Sequence, residues 1–281
     1  MRIDTILHPT DFSHGARRAL AEAVRLAVSH DATLHVFHGV LLHAEDPAVE
    51  QHQLDAWVAE ARRLGSEFGG APLSVAASSA RGVSAFDAIM DEIARRQPDL
   101  LVVGTHGRSG VARFLMGSEA EKLLRHAPCH VLTVRANARG SATDPVRRVL
   151  VPVDFSDTAR HAFDAARSLA AETDASVTVL YVVEPLPAIY YAADISSRFE
   201  LDGELQGRVQ ASLRDWAGVE VDRWVVAEGP PAQEILRVAD DEQADLIVMG
   251  TRGRTGLDHV LVGSVTEKVC RFARTPVLVI R

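Results

Sequence analysis

The feature that most constrains this chain is a glycine pattern that occurs twice. Residues 104–118 read G-T-H-G-R-S-G-V-A-R-F-L-M-G-S, and residues 250–264 read G-T-R-G-R-T-G-L-D-H-V-L-V-G-S. In each copy two glycines lie three apart, nine residues follow, and a Gly-Ser pair closes the segment. The copies are offset by 146 residues, and 18 of 37 positions are identical between windows 99–135 and 245–281. The repeat divides the 281 residues into two halves of roughly 140, an ordinary single-domain size. A glycine loop repeated at unchanged spacing points to two copies of a phosphate-binding unit.

Around each loop, short apolar runs alternate with helical periodicity. Each half opens on an apolar run that ends in a proline-containing turn. Ile3 to His8 leads into P-T-D-F-S (9–13), and Val149 to Val151 leads into P-V-D-F-S (152–156). A run this short, followed by a serine able to cap a helix, predicts a buried strand entering a helix. Ala16, Ala19, Leu20, Ala23, Val24 and Ala27 then recur at helical spacing, as do Ala159, Ala162, Phe163, Ala166, Leu169 and Ala170. Their small size predicts close packing of helix on sheet. Second strands are predicted over 33–40 and 177–183, third strands over 73–77 and 221–227, fourth strands over 100–103 and 246–249, and fifth strands over 131–134 and 277–280. Such alternation calls for an α/β fold with a mostly parallel sheet covered on both faces. The small, polar segment Ala136 to Pro145 reads as a linker. The expected domains are therefore 1–136 and 147–281, joined by 137–146.

Composition narrows the function. A formal net charge of −8 provides no basic footprint for nucleic acid or an anionic membrane. No apolar run approaches the roughly 18 residues that span a bilayer. The opening M-R-I-D-T-I-L-H lacks signal-peptide architecture. The two cysteines, Cys129 and Cys270, hold non-equivalent repeat positions, so no disulfide is expected and the expected compartment is a reducing cytoplasm. Ten of the twelve histidines fall in the first half. The spacing of His35, His38 and His43 matches no structural zinc pattern, and His35 and His38 point to opposite faces of a strand. Scattered histidines, and no metal site, are the expectation.

In open parallel sheets, ligands sit beyond the carboxyl ends of the strands, where strand order reverses. The glycine loop leaves such an end. Glycines let a phosphate approach main-chain N–H groups, and the closing Gly-Ser sits at a helix start, where free N–H groups and the helix dipole favour an anion. Ser118 and Ser264 can add a hydroxyl donor. A second reading stays open: S-E-A-E (118–121) and S-V-T-E (264–267) fit a capping box, in which the serine only caps its helix. Asp11 and Asp154 follow the first strands and fall at the same edge. Each can accept from a ribose or an adenine amino group, or can cap the first helix. No G-x-x-x-x-G-K-[ST] occurs, so this is not a P-loop NTPase. Lys122 and Lys268, the only lysines, are expected on a helix surface.

These residues resemble the universal stress protein family, whose nucleotide-binding members carry G-x2-G-x9-G-[ST]; P-T-D-F-S and P-V-D-F-S resemble its opening motif. The resemblance covers essentially the whole chain as two tandem domains. It implies two Rossmann-like (adenine nucleotide α-hydrolase-like) open five-stranded sheets flanked by helices, and an ATP site in each half, with Mg²⁺ as a candidate companion. In the first half Pro9, Thr10 and Asp11 would meet adenine or ribose, and Gly39 would lie near the base. Val103 and Gly104 would approach adenosine, while Gly107, Gly117, Ser118 and Glu119 would surround the phosphates. The second-half equivalents are Pro152, Val153, Asp154, Val182, Met249, Gly250, Gly253, Gly263, Ser264 and Val265. Arg108 and Arg254 are candidate phosphate neighbours on charge alone; the alternative is that both face solvent. The resemblance further implies that the last strands of the two halves pair as an internal pseudo-dimer; two such chains could associate as a homodimer. The implied role is a nucleotide-responsive stress or signalling protein whose state an unknown protein partner reads.

The halves depart from each other. His8 stands where the second half has Val151, and Gly39 where it has Val182, which predicts a looser first adenine pocket. Glu119 places a carboxylate beside the first phosphate position, where the second half has Val265. Like charge there weakens phosphate binding unless Mg²⁺ intervenes. His130 stands where the second half has Pro276. Unequal sites, the second tighter, are the expectation. The alternative function is an ATP-consuming enzyme, a slow ATPase or nucleotidyl transferase; a scaffold that binds no nucleotide is a third. Turnover needs a positioned base or metal-binding carboxylate, and no second carboxylate or histidine recurs in both motifs.

Overall fold

Each half starts its first helix at a serine. Ser13 Oγ accepts from Ala16 N–H at 3.2 Å, and Ser156 Oγ accepts from Ala159 N–H at 3.2 Å. Both serines hold extended backbone, as an N-cap requires. The computed structural model describes residues 1–41, 47–69, 72–105, 116–140, 144–184, 203–251 and 262–281. The first half runs β1 (Thr5–Pro9), α1 (His14–His30), β2 (Thr33–Leu41), α2 (Pro47–Glu67), β3 (Val75–Gly82), α3 (Ala85–Arg96), β4 (Leu100–Gly104), α4 (Ser118–His126) and β5 (His130–Val134). The second runs β6 (Arg148–Val153), α5 (Asp157–Thr173), β7 (Ser176–Val183), α6 (Gly203–Ala217), β8 (Arg223–Glu228), α7 (Pro231–Asp241), β9 (Leu246–Gly250), α8 (Ser264–Phe272) and β10 (Val277–Ile280).

The two sheets are not separate. They fuse into one ten-stranded sheet of order β3-β2-β1-β4-β5-β10-β9-β6-β7-β8. Pairing is parallel within each half, and β5 meets β10 antiparallel, with Thr133 opposite Val277 and Val131 opposite Val279. The seam has side-chain ties as well. Arg125 reaches Glu267 at 2.6 Å and Arg271 reaches Glu121 at 2.9 Å, a reciprocal pair of cross-half bridges between α4 and α8. Arg135 donates to the Phe272 carbonyl at 3.1 Å.

Helices α1, α2, α5 and α6 cover one sheet face, and α3, α4, α7 and α8 cover the other, and the apolar cluster on each face draws residues from both halves. Every small residue expected on the sheet-facing side of α1 and α5 is buried. Two glycines set how closely these helices approach. A Cβ on Gly104 would lie 3.0 Å from the Gly15 carbonyl, and one on Gly250 would lie 2.7 Å from the Thr158 oxygen. The third strand departs from expectation. Its pairing with β2 begins at Val75 and continues through the polar run to Gly82. As an outer strand, β3 buries little, so its apolar pattern does not mark its length.

Candidate functional site

Strand order reverses between β1 and β4, and the sheet opens there. Parallel pairing of β1 with β4 extends over Ile6–Leu100 and Leu7–Leu101, whereas β1 stays paired with β2 to Pro9. The second half repeats this, with β6 meeting β9 at Val149–Leu246 and Leu150–Ile247. In the first half, the imidazole of the wholly buried His8 takes over beyond the ladder, its Nδ1–H donating to the Val102 carbonyl at 2.9 Å. Burial pushes the His8 pKa down to about 4, so the ring is neutral at pH 7. Trp57 stacks on it at 5.8 Å between ring centroids.

The chain then turns sharply. Asp11 Oδ1 accepts from Ser13 N–H at 3.0 Å, and Asp154 Oδ1 accepts from Ser156 N–H at 3.1 Å. Both readings of these aspartates therefore meet one fact: each carboxylate is tied to the residue that caps the helix, and serine does the capping. Phe12 and Phe155, one residue on, have φ of 62° and 65°. Left-handed backbone is costly for a bulky residue and persists only where packing holds it. Phe12 packs on His38 at 4.4 Å and Phe155 on Tyr181 at 5.1 Å. His38 Nδ1 also donates to the Thr10 carbonyl at 2.6 Å. The recurrence of Phe in both turns is the sequence signal for this device, and Phe12 and Phe155 were absent from the expected site.

The opposite wall is the start of α4. The N-cap is Gly117, because Glu121 N–H bonds the Gly117 carbonyl at 3.0 Å; Gly263 and Glu267 repeat the arrangement at 3.0 Å. This corrects the capping-box reading: Ser118 and Ser264 are the first helical residues, and neither N-cap has a side-chain hydrogen bond. The glycine's own N–H goes to the carbonyl of buried Thr105, or of Thr251 in the second half, at 2.7 Å in both. Both threonines are identical between the repeats, a signal that could have marked them. The fold does not demand glycine at 117: φ is −61°, and a Cβ would find the Thr105 oxygen at an ordinary 3.6 Å.

A cavity of about 250 Å³ lies between these walls. Of the expected first-half residues, Pro9, Thr10, Asp11, Gly39, Val103, Gly104, Gly117, Ser118 and Glu119 line it; Gly107 lies outside the described residues. The lining also includes Ala85, Ile89, Ala120 and Leu123 from α3 and α4, which sequence reasoning missed. Gly39 lines the cavity beside α3. The space beside it is closed by α3, whose Ala85 carbonyl oxygen lies 3.1 Å from where a Cβ would stand. Among the described lining residues, Asp11 and Glu119 are the titratable groups. In the second half, Pro152 and Val153 end β6, Asp154 follows, Val182 lies in β7, and Met249 and Gly250 end β9. Gly263, Ser264 and Val265 open α8 at the same sheet edge. Gly253, Arg108 and Arg254 lie outside the described residues. Lys122 sits on the surface of α4, 3.3 Å from Glu119. No group of three or more His, Cys, Asp or Glu among the described residues is placed to hold a metal ion, and no described helix is long and apolar enough to cross a membrane.

Comparison with known proteins gives these observations a context. The family model described as "Universal stress protein family" matches residues 2–135 and 145–281. A universal stress protein of Methanocaldococcus jannaschii is 38% identical over 141 residues, covering 48% of this chain and 82% of that protein. One of Mycobacterium bovis is 30% identical over 229 residues, covering 80% of this chain and 75% of that protein. The crystal structure of a universal stress protein from Archaeoglobus fulgidus has the same fold, with a TM-score of 0.69 at 21% identity, over 100% of this chain and 99% of that one.

Proposed function

From the premise that this chain belongs to the universal stress protein family, as a tandem member, we propose that it binds an adenine nucleotide, ATP, at each of two sites and acts as a nucleotide-responsive stress protein. The observation that carries this reading is the first-half cavity. It gathers Pro9–Asp11 and Gly117–Glu119, segments about a hundred residues apart in sequence, at the strand-order reversal. Such a crevice is where open α/β sheets receive ligands.

Each wall has a chemical part in the proposal. The first turn of α4 offers main-chain N–H groups that no side chain caps, and a helix dipole, to the phosphates. Gly117, which the fold leaves free to carry a side chain, keeps that approach open. Ser118 adds a hydroxyl. Asp11, fixed by the Ser13 N–H, accepts a ribose hydroxyl or the adenine amino group. Ala16, Ile89, Val103 and Leu123 supply apolar contact for the base. Mg²⁺ would arrive with the phosphates, keeping most of its waters and taking at most one or two protein carboxylates; Asp11 and Glu119 are the available ones. No second carboxylate or histidine recurs in both glycine motifs, so the reading is retention of nucleotide, with hydrolysis slow. Occupancy is then the signal that a protein partner reads.

The test is to denature the purified protein, chromatograph the supernatant and count adenine nucleotide per chain. Two per chain, without turnover, is the expected result. No nucleotide retained, and none bound on ATP titration, would overturn the proposal. Steady-state turnover with a defined acceptor would favour the enzyme instead.

A further inference from the structure

Glu119 occupies the second helical position of α4, within the first turn. It lines the same cavity as Asp11 and Ser118. Its Oε1 lies 3.3 Å from Lys122 Nζ, and its Oε2 is buried with no hydrogen-bond partner among the described residues. A carboxylate in the first turn of a helix is itself an anion placed at the positive end of the dipole. In α8 the same position is Val265, a partly buried residue packed against the apolar cluster of that sheet face. Lys268, the counterpart of Lys122, is exposed and has no ion pair among the described residues. A polyphosphate arriving at α4 therefore meets a negative charge and a lysine already engaged. One arriving at α8 meets no carboxylate at that position and a lysine with no ion pair among the described residues.

We infer that Glu119 is a specificity-determining residue, which makes the first-half site select against nucleotides by phosphate charge while the second-half site does not. The inference rests on the nucleotide reading above. Its chemical content is that Glu119 already fills, from within the chain, part of the anion position that the α4 N-terminus offers. Adenosine, which carries no phosphate, escapes this discrimination in both halves. The phosphate tail is received well at α8 and poorly at α4, and a divalent cation bound to the tail reduces the penalty by neutralising it.

The test uses the full chain, titrated calorimetrically with ATP and separately with adenosine, both in chelator. ATP should bind in two classes, separated by about tenfold more than any two classes of adenosine. Glu119→Gln should raise the selectivity of the weaker site for ATP over adenosine about tenfold, equivalent to about 1.4 kcal/mol. Val265→Glu should impose the same discrimination on the tighter site. Added Mg²⁺ should narrow the gap between the two classes in the wild type more than in Glu119→Gln. If Glu119→Gln shifts the melting temperature but leaves the ATP-to-adenosine ratio unchanged, Glu119 is a helix-stabilising acid and the inference is wrong. Adenosine binding with no gap between ATP classes overturns this inference alone. Failure of both ligands to bind the wild-type chain overturns the nucleotide reading, and this inference with it.

Discussion

The two edges that carry the sites are built alike by backbone and unlike by side chain. In both halves a serine caps the first helix, an aspartate accepts that serine's N–H, and a phenylalanine is held left-handed between them. In both, a glycine N-cap gives its N–H to a buried threonine carbonyl at 2.7 Å. The differences are in what faces the crevice or supports it: His8 against Val151, Gly39 against Val182, Glu119 against Val265. Shared main-chain hydrogen bonds build the edge, and a few side chains set what it does. The first half has a polar, titratable foundation, and the second an apolar one.

The largest expected effect on this contrast is with acid. His8 is neutral in the fold, with its pKa lowered to about 4, and takes up a proton near 6.5 once unfolded. A lowered folded pKa means that stability is complete above pH 6.5 and is lost as pH falls toward 4. The loss is on the order of 3 kcal/mol across that window. His8→Val, which copies Val151, should remove most of that slope in urea denaturation followed at several pH values. An unchanged slope would show that His8 takes up its proton at the same pH in the folded and unfolded chain. His35, buried beside Glu92 with its pKa also near 4, predicts a further, separate slope in the same direction.

Glycine replacements sharpen the comparison next. Gly250→Ala forces a Cβ to 2.7 Å from the Thr158 oxygen and should cost about 3 kcal/mol in the second half; Gly104→Ala, at 3.0 Å from Gly15, should cost about 2. Gly117→Ala, with room at 3.6 Å, should cost less than about 1 kcal/mol of stability. If Gly117→Ala proves as destabilising as Gly104→Ala, glycine at 117 serves the fold and not a ligand.

The smallest effect is expected at the seam, where the halves match. Glu121→Gln and Glu267→Gln each break one cross-half bridge between partly exposed side chains. Each should lower stability by about 0.5 kcal/mol, by equal amounts, and the effect should disappear in molar salt. Unequal losses would mean that α4 and α8 do not meet as equivalents.

Much of this was legible in the residues. The order of strands and helices, the serine caps and the sheet-facing small residues of α1 and α5 follow from local periodicity and capping chemistry, which act within a few residues. The assembly of Asp11 with Gly117 was legible because the carboxyl ends of parallel strands share one edge. Other features were not. Ser118 reads as an N-cap, but the first helical bond closes on Gly117, and that choice depends on how the chain leaves Thr105. The neighbour of Gly39 is not legible either: the setting of α3 against β2 puts the Ala85 carbonyl beside it.

By itself, then, the sequence determined two copies of a parallel α/β unit and the residues that stand at each crevice, because helix periodicity, caps and glycine spacing are local properties. The expected pairing of the last strands, β5 with β10, joins the copies in one ten-stranded sheet. Only the tertiary structure decided that α3 and α4 supply Ala85, Ile89, Ala120 and Leu123 to the cavity, and that His8 takes over from the ladder beside Val102. Those outcomes depend on packing between segments far apart in the chain, and no local pattern encodes which distant surface a side chain will meet.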